Sequence, residues 1–346
     1  MSSYETLLES YAEEEKLSKI TFEEMGNILE SLTEFVNEEI QMTVEITLQE
    51  AEEGEVKDKE NKFGASVKKT IDKLIEKLTA FIKKIGEAVK AFVAKAKMVV
   101  KQGGNVALSK ALKNNNLVVK KEFTVVTTEY AKVGQLYNTA AKAAADVDAA
   151  VKKVNINTTP VEVPEVPASV ANAIEAFSKR FEESGVVKKQ VVEPGKKISE
   201  EYNSYVKPWL DQVNKGIENV EKVCKAAQKN ASDIIKELKK NKDNQKAVNA
   251  DGIVKVNKLS TAAMQISTNT VKFANSVLSI ATKNSAKLAL AAGVAAPGAA
   301  KDAVKTKAGE VKAAAKSKVQ GAKADIDAKK AGMSGKNAGS IQKQAD

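Results

Sequence analysis

The chain has 346 residues, a formal net charge of +10 and only 5% aromatic residues, a thin supply for a large globular core. It contains no histidine and a single cysteine, Cys224, which excludes Ser-His-Asp and Cys-His catalysis, histidine-based metal sites and an internal disulfide. No phosphate-binding glycine loop is present either, because Gly103-Gly104 lacks the GxxxxGK[ST] context. We therefore expect no enzyme, and no catalytic, cofactor-binding or metal-binding residues.

The net charge conceals a split along the chain. Residues 1–55 contain sixteen Glu and two Lys, a formal charge of −14, whereas the rest holds 53 basic and 29 acidic residues, or +24. Every basic residue except Arg180 is a lysine. Lysine is a strongly hydrated point charge and lacks the planar fork with which arginine reads guanine. The composition predicts attraction to a polyanion without sequence specificity.

The acidic leader, residues 1–55, is expected to contain both helical and extended parts. Apolar residues recur at helical spacings of three and four between Met25 and Val36. In QMTVEITLQE, residues 41–50, apolar and polar residues alternate as in an extended strand. A charged segment at 56–65 is then expected to be a mobile linker.

The first long helix is predicted from Ser66, as its N-cap, to Lys101, with Gly103 and Gly104 as its stop. Its apolar residues recur at alternating steps of four and three. Its polar face is rich in lysine and is a candidate polyanion-binding face, although a solvated face of a helical bundle explains the same pattern. The lysines on this face are Lys68, Lys69, Lys73, Lys77, Lys83, Lys84 and Lys90.

The rest of the body is predicted to be helical with one interruption. A heptad rhythm from Phe123 to Val154 favours helix, even though TVVTTEY within it has strand propensity. A helical hairpin is thus expected over 66–154, followed by an extended linker at 155–168, because its three prolines cannot lie inside a helix. Residues 169–290 are predicted to form a helical bundle, in which one helix ends near Glu193 and Pro208 kinks the next. Its heptad seams suit helix packing or homo-oligomer contacts and include Cys224.

From residue 291 onward the chain is rich in Ala and Lys. Residues 301–346 hold eleven Lys and five acidic residues, with too few large apolar residues for a packed core. This tail is expected to be disordered and to offer Lys312, Lys316 and Lys318 to a polyanion. The predicted fold class is all-α, an elongated antiparallel helical bundle or coiled coil between an acidic leader and a basic tail.

The first residues carry a resemblance to a known family. Met1, Tyr4, the apolar pair Leu7-Leu8 and Glu9 resemble the start of internal head and prohead-core proteins of T4-like tailed bacteriophages. This resemblance implies a leader that a prohead protease removes after an (Ile/Leu)-x-Glu sequence. The leader triplets that fit are Leu7-Leu8-Glu9, Ile28-Leu29-Glu30, Leu32-Thr33-Glu34 and Leu48-Gln49-Glu50.

The last of these triplets is the preferred processing site. Proteases bind extended substrates, and Leu48, Gln49 and Glu50 end the one segment with an extended pattern. The small residue Ala51 and the charged linker follow directly.

The resemblance and the charge split together predict a structural protein packaged inside a phage head, present in the cytoplasm of the infected host before assembly. Its expected partners are double-stranded DNA, bound without sequence specificity after loss of the leader, and capsid or portal proteins. One alternative is a membrane-surface-binding or pore-forming helical protein, suggested by the basic amphipathic helix. Another is a helical assembly scaffold without DNA contact.

Overall fold

The computed structural model describes residues 60–114, 116–156, 162–178, 187–242 and 250–294, together with nine residues between Asn27 and Glu38. Within these residues the protein is predominantly helical, as predicted, with one small two-stranded sheet. The described residues up to Gly293 belong to one compact unit, and a second unit begins at Val294. The extended pattern at 41–50 and the processing site at 48–51 lie outside the described residues.

Helix α1 (Glu60–Lys101) begins before the predicted N-cap, so that Ser66 lies inside it. It ends where the sequence predicts, because Gly103 and Gly104 adopt φ angles of +59° and +89°. Their amides donate to the carbonyls of Val100 (3.0 Å) and Val99 (2.7 Å), the two bonds of a Schellman motif. The apolar stripe of α1 is buried, each residue at most 3% exposed: Ile71, Leu74, Leu78, Phe81, Ile85, Ala88, Phe92, Ala96 and Val99.

The prediction of a helix from Phe123 is wrong for its first part. After the short helix α2 (Val106–Ala111) and a turn at 112–113, residues Phe123–Thr128 form strand β1. Five of the six residues in FTVVTT are β-branched, and such side chains fit a pleated strand better than a helix. Helix α3 (Tyr130–Val151) carries only the later part of the predicted seam.

The helix predicted to reach Glu193 is also wrong. Helix α4 (Ala168–Ser178) is followed by strand β2 (Val187–Val192), which pairs antiparallel with β1. In this register Val126 lies opposite Lys189. The two strands do not form a hairpin, because α3 and α4 lie between them in the sequence, so the pairing depends on long-range contacts.

Two helices replace the single kinked helix predicted around Pro208. Helix α5 (Ile198–Tyr205) has Val206 as its C-cap, and helix α6 (Lys207–Lys242) begins directly after that residue. Pro208 lies in the first turn of α6, where its missing N–H costs no helical hydrogen bond. Cys224 on α6 is a free, buried thiol in a helix seam, as predicted.

Helix α7 (Ala250–Ala291) is the central element of the compact unit. It packs against each of the helices α1 to α6 and against β1. The long helices α1 and α3 each pack on α6 and α7. Buried hydroxyls of α7 bond to carbonyls of their own helix, as Ser260 does to Val256 (2.9 Å) and Thr270 to Ile266 (2.7 Å). Ser260 and Thr270 therefore lie in the core without losing the hydrogen bonds of their hydroxyls. The residues exposed between 252 and 292 are Lys258, Ser276, Lys283, Lys287 and Leu290.

Candidate polyanion-binding surface

The structure places the lysines predicted on the first helix on a face of mixed charge. Asp72, Glu76 and Glu87 are exposed among them, spaced so that they share the outer side of α1. This face therefore offers a weaker positive field than its lysine count suggests. The exposed members are Lys69, Lys73, Lys83 and Lys90, and the half-buried members are Lys68, Lys77 and Lys84. The tail residues Lys312, Lys316 and Lys318 lie outside the described residues.

A stretch without acidic residues begins near the end of α1. Residues 88–121 contain eight Lys and neither Asp nor Glu. The stretch turns at Gly104, which lies so close to α7 that an added Cβ would be 2.8 Å from the Cβ of Ser285. The exposed lysines from Lys101 to Lys121 thus lie at the end of the unit where α1 meets the C-terminal part of α7.

Lysines from a distant part of the chain reach the same end. The amide of Val119 donates to the carbonyl of Lys196 (2.8 Å), and the amide of Gly195 donates back to Val119 (2.8 Å). These bonds bring Lys196 next to Lys120 and Lys121. The antiparallel register of the sheet adds Lys188 and Lys189 from β2, both exposed.

The C-terminal end of α7 adds one more lysine, Lys287, to this group. The amide of Lys120 donates to the carbonyl of Ala291 (2.7 Å), and the ammonium of Lys287 donates to the carbonyl of Thr124 (2.6 Å). Cations near a helix C-terminus are favoured because its carbonyls carry partial negative charge. We name as the lysine-rich end the nine exposed residues Lys101, Lys110, Lys113, Lys120, Lys121, Lys188, Lys189, Lys196 and Lys287.

Acidic side chains at this end are fewer and partly paired. Glu129 forms an ion pair with Lys132 (3.0 Å), and Glu200 with Lys197 (3.7 Å). The hydrogen bond from Lys132 lowers the pKa of Glu129. Lys188 also interacts electrostatically with Glu129, and Lys196 with Glu201. With the exposed Glu122 and Glu193, these acidic side chains compensate part of the positive field of the lysine-rich end.

Exposed apolar side chains accompany these lysines. Within the compact unit, the large hydrophobic residues that the described chain exposes are Val118 (38%), Val191 (50%) and Leu290 (38%). All three belong to segments that build the lysine-rich end. The surface can therefore offer modest apolar contact in addition to charge.

The sequence alone indicates only part of the lysine-rich end. The acid-free stretch at 88–121 can be read directly from the chain. Lys188, Lys189 and Lys196 join it only through the pairing of β1 with β2, which a helical prediction for both segments conceals. The sequence therefore misses these candidate residues where its secondary-structure prediction is wrong.

No family model, curated protein or solved structure matches this chain. No described helix is both long enough and apolar enough to cross a membrane. Among the described residues, no group of three His, Cys, Asp or Glu side chains is placed to hold a metal ion.

Proposed function

We propose that this protein binds double-stranded DNA without sequence specificity through its lysine-rich end, as a structural protein packaged inside a phage head. The observation that carries the proposal is the convergence of nine exposed lysines from three separate stretches of the chain on one end of the unit. Lysines that neutralise phosphates release condensed counterions, which drives binding to any duplex sequence. An ammonium group lacks the bidentate geometry that would favour particular bases.

The leader supports placement in a phage head. Its formal charge of −14 opposes that of the body, and its first residues resemble the leaders of prohead-core proteins. The processing site is proposed at Leu48-Gln49-Glu50, before Ala51. Glu30 and Glu34 lie in a helical segment, which a protease would have to unwind before binding it as an extended substrate.

A salt series with a matched pair of triple variants tests DNA binding. We expect the full chain to bind two unrelated duplexes with equal affinity. The triple variant Lys120→Gln, Lys121→Gln and Lys196→Gln should lower the slope of log K against log salt by about 2 to 3, since each phosphate-contacting lysine contributes about 0.9.

The control removes the same charge from the mixed face of α1, by Lys69→Gln, Lys73→Gln and Lys83→Gln. Its slope should change by less than about 1. Equal changes of slope in the two triple variants would contradict a defined DNA-binding end. Absence of DNA binding at low salt would favour an assembly scaffold.

Mass spectrometry of purified particles tests packaging and processing. We expect a mature chain that begins at Ala51. An intact N-terminus would rule out removal of the leader, and absence from particles would contradict packaging.

A second candidate function, binding to an anionic membrane surface, is favoured by the exposed Val118, Val191 and Leu290 beside the lysines. Flotation with anionic vesicles distinguishes it from DNA binding. Membrane association through apolar contact would persist at high salt and weaken in a Val118→Ser, Val191→Ser variant. Purely electrostatic attraction would be lost at high salt with either chain.

A further inference from the structure

Part of the acidic leader lies against the body. The described residues between 27 and 38 are helical, and Phe35 is only 8% exposed. Lys84 of α1 donates a hydrogen bond to the hydroxyl of Ser31 (2.5 Å), and its ammonium lies 5.5 Å from the centre of the Phe35 ring. That distance is within the range of a cation–π contact.

The same segment also reaches α7. Lys272 donates a hydrogen bond to the hydroxyl of Thr33 (2.6 Å). Burial lowers the pKa of Lys272, consistent with an ammonium partly withdrawn from water. The segment thus contacts two helices that pack on each other, α1 and α7.

The described contacts of the segment are not those expected from charge attraction alone. Lys84 and Lys272 contact two hydroxyls and a ring, whereas Glu30, Glu34 and Glu38 are exposed at a helical spacing of four on the outer side. Burial of Phe35 and hydrogen bonds of defined geometry depend little on ionic strength, in contrast to attraction between exposed charges.

We propose that the surface between α1 and α7 around Lys84 and Lys272 is a docking site for residues 27–38 of this same chain, which withholds the two lysines until the leader is removed. The role of these lysines as added phosphate contacts rests on the proposed DNA binding; the docking itself does not.

Removal of the leader would weaken the docking because the segment would no longer be tethered to the body. Residues 39–59 tether it to α1, which corresponds to a local concentration on the order of millimolar. A cut after Glu50 falls within this tether and turns the segment into a separate peptide. Contacts that include the Phe35 ring and the hydroxyls of Ser31 and Thr33 then have to hold it at the far lower concentration of free peptide.

Lysine acetylation of the full-length protein, read by peptide mass spectrometry, tests the docking. In a Phe35→Ala variant, the acetylation rates of Lys84 and Lys272 should rise about tenfold over wild type, which corresponds to about 1.4 kcal/mol of docking free energy. The exposed residues Lys83 and Lys258, on the same two helices, should keep their rates. An Asn37→Ala variant, which changes an exposed position of the segment, should leave all four rates unchanged.

A second variant and a salt series separate docking by short-range contacts from attraction between charges. Ser31→Ala combined with Thr33→Val removes both hydroxyl acceptors and should also raise the two rates, while circular dichroism reports an intact body. Wild-type protection should persist at 0.5 M salt, about five times the ionic strength at which the Debye length is 10 Å. Protection that vanishes in salt, or equal rates in wild type and Phe35→Ala, would overturn the docking site. Failure of DNA binding with protection intact would count against the proposed function alone.

Discussion

Asn284 on α7 joins the sheet to the helical bundle through three hydrogen bonds. Its side-chain oxygen accepts from the amide of Val126 (3.0 Å), and its amide group donates to the carbonyls of Val126 (2.6 Å) and Tyr205 (3.0 Å). The side chain thus takes the place of a neighbouring strand along the inner edge of β1. Trp209 adds a further donor to the carbonyl of Val126 (2.9 Å).

Substitution of Asn284 by Ala should lower the free energy of unfolding by about 2 to 4 kcal/mol, because it leaves the Val126 amide and the Tyr205 carbonyl without this partner. Urea denaturation measures the loss. Asn203→Ala, at an exposed position of α5, is the control and should change stability by less than about 0.5 kcal/mol. Equal costs for the two variants would contradict the joining role of Asn284.

Lys95 on α1 is only 3% exposed, and burial lowers its pKa from 10.5 to about 8. Between these two values the unfolded chain holds a proton on Lys95 that the folded chain has released. Stability rises with pH wherever the unfolded state binds more protons. The contribution of Lys95 to the free energy of unfolding should therefore be least favourable below pH 8 and become more favourable towards pH 10.5.

A Lys95→Met variant isolates this contribution, because Met has a similar length and no charge. The wild type should gain stability relative to the variant as pH rises from 8 to about 10, measured by urea denaturation at each pH. A difference that stays constant over this range would contradict release of the proton on folding.

At the scale of elements, the sequence predicts the long helices well and the strands poorly. The stripe of α1 and the seams of α6 and α7 are periodic over many turns, so local pattern suffices to identify them. Phe123–Thr128 continues the spacing of the helix after it, which concealed a strand made mostly of β-branched residues. Its partner Val187–Val192 lies far along the chain, and no local signal reports such a pairing.

The candidate site could be predicted from the sequence only in part, for the same reason. The periodic pattern of α1 suffices to place its lysines on one polar face. The structure shows that Asp72, Glu76 and Glu87 are exposed among them. The lysine-rich end depends on tertiary contacts, such as those between Val119 and Lys196, that only the folded chain reveals.

The turn after α1 is the element on which this end depends, and Gly104 is its most constrained position. With φ at +89° and the Cβ of Ser285 2.8 Å from where its own would lie, Gly104→Ala should lower the free energy of unfolding by about 2 to 4 kcal/mol. Gly134→Ala is the matched control on α3, where an added Cβ meets nothing within 4 Å. It should raise stability by about 0.5 to 1 kcal/mol, because Gly is a poor helix former. Thermal denaturation that shifts both variants in the same direction would contradict this assignment.

At the scale of the whole molecule, the leader has two separable effects on the body. In the proposed docking, the segment contacts Lys84 and Lys272 at short range, whereas the excess of Glu in the leader would act on the body through long-range electrostatic attraction. Salt distinguishes the two, since the Debye length falls from about 10 Å at 0.1 M to about 3 Å at 1 M.

Severing the chain after Glu50 removes 13 Glu and 2 Lys and raises the net charge from +10 to +21. If the field dominates, the affinity for duplex DNA should rise about tenfold at 0.1 M salt, and this gain should shrink steadily as salt is added. Fluorescence anisotropy across a salt series measures the ratio of the DNA affinities of the severed and intact proteins. Glu13→Gln, Glu14→Gln and Glu15→Gln in the uncut chain form the control, which should give a partial gain with the same salt dependence. A gain that does not change with salt would show that the docked segment, and not the charge of the leader, limits DNA binding.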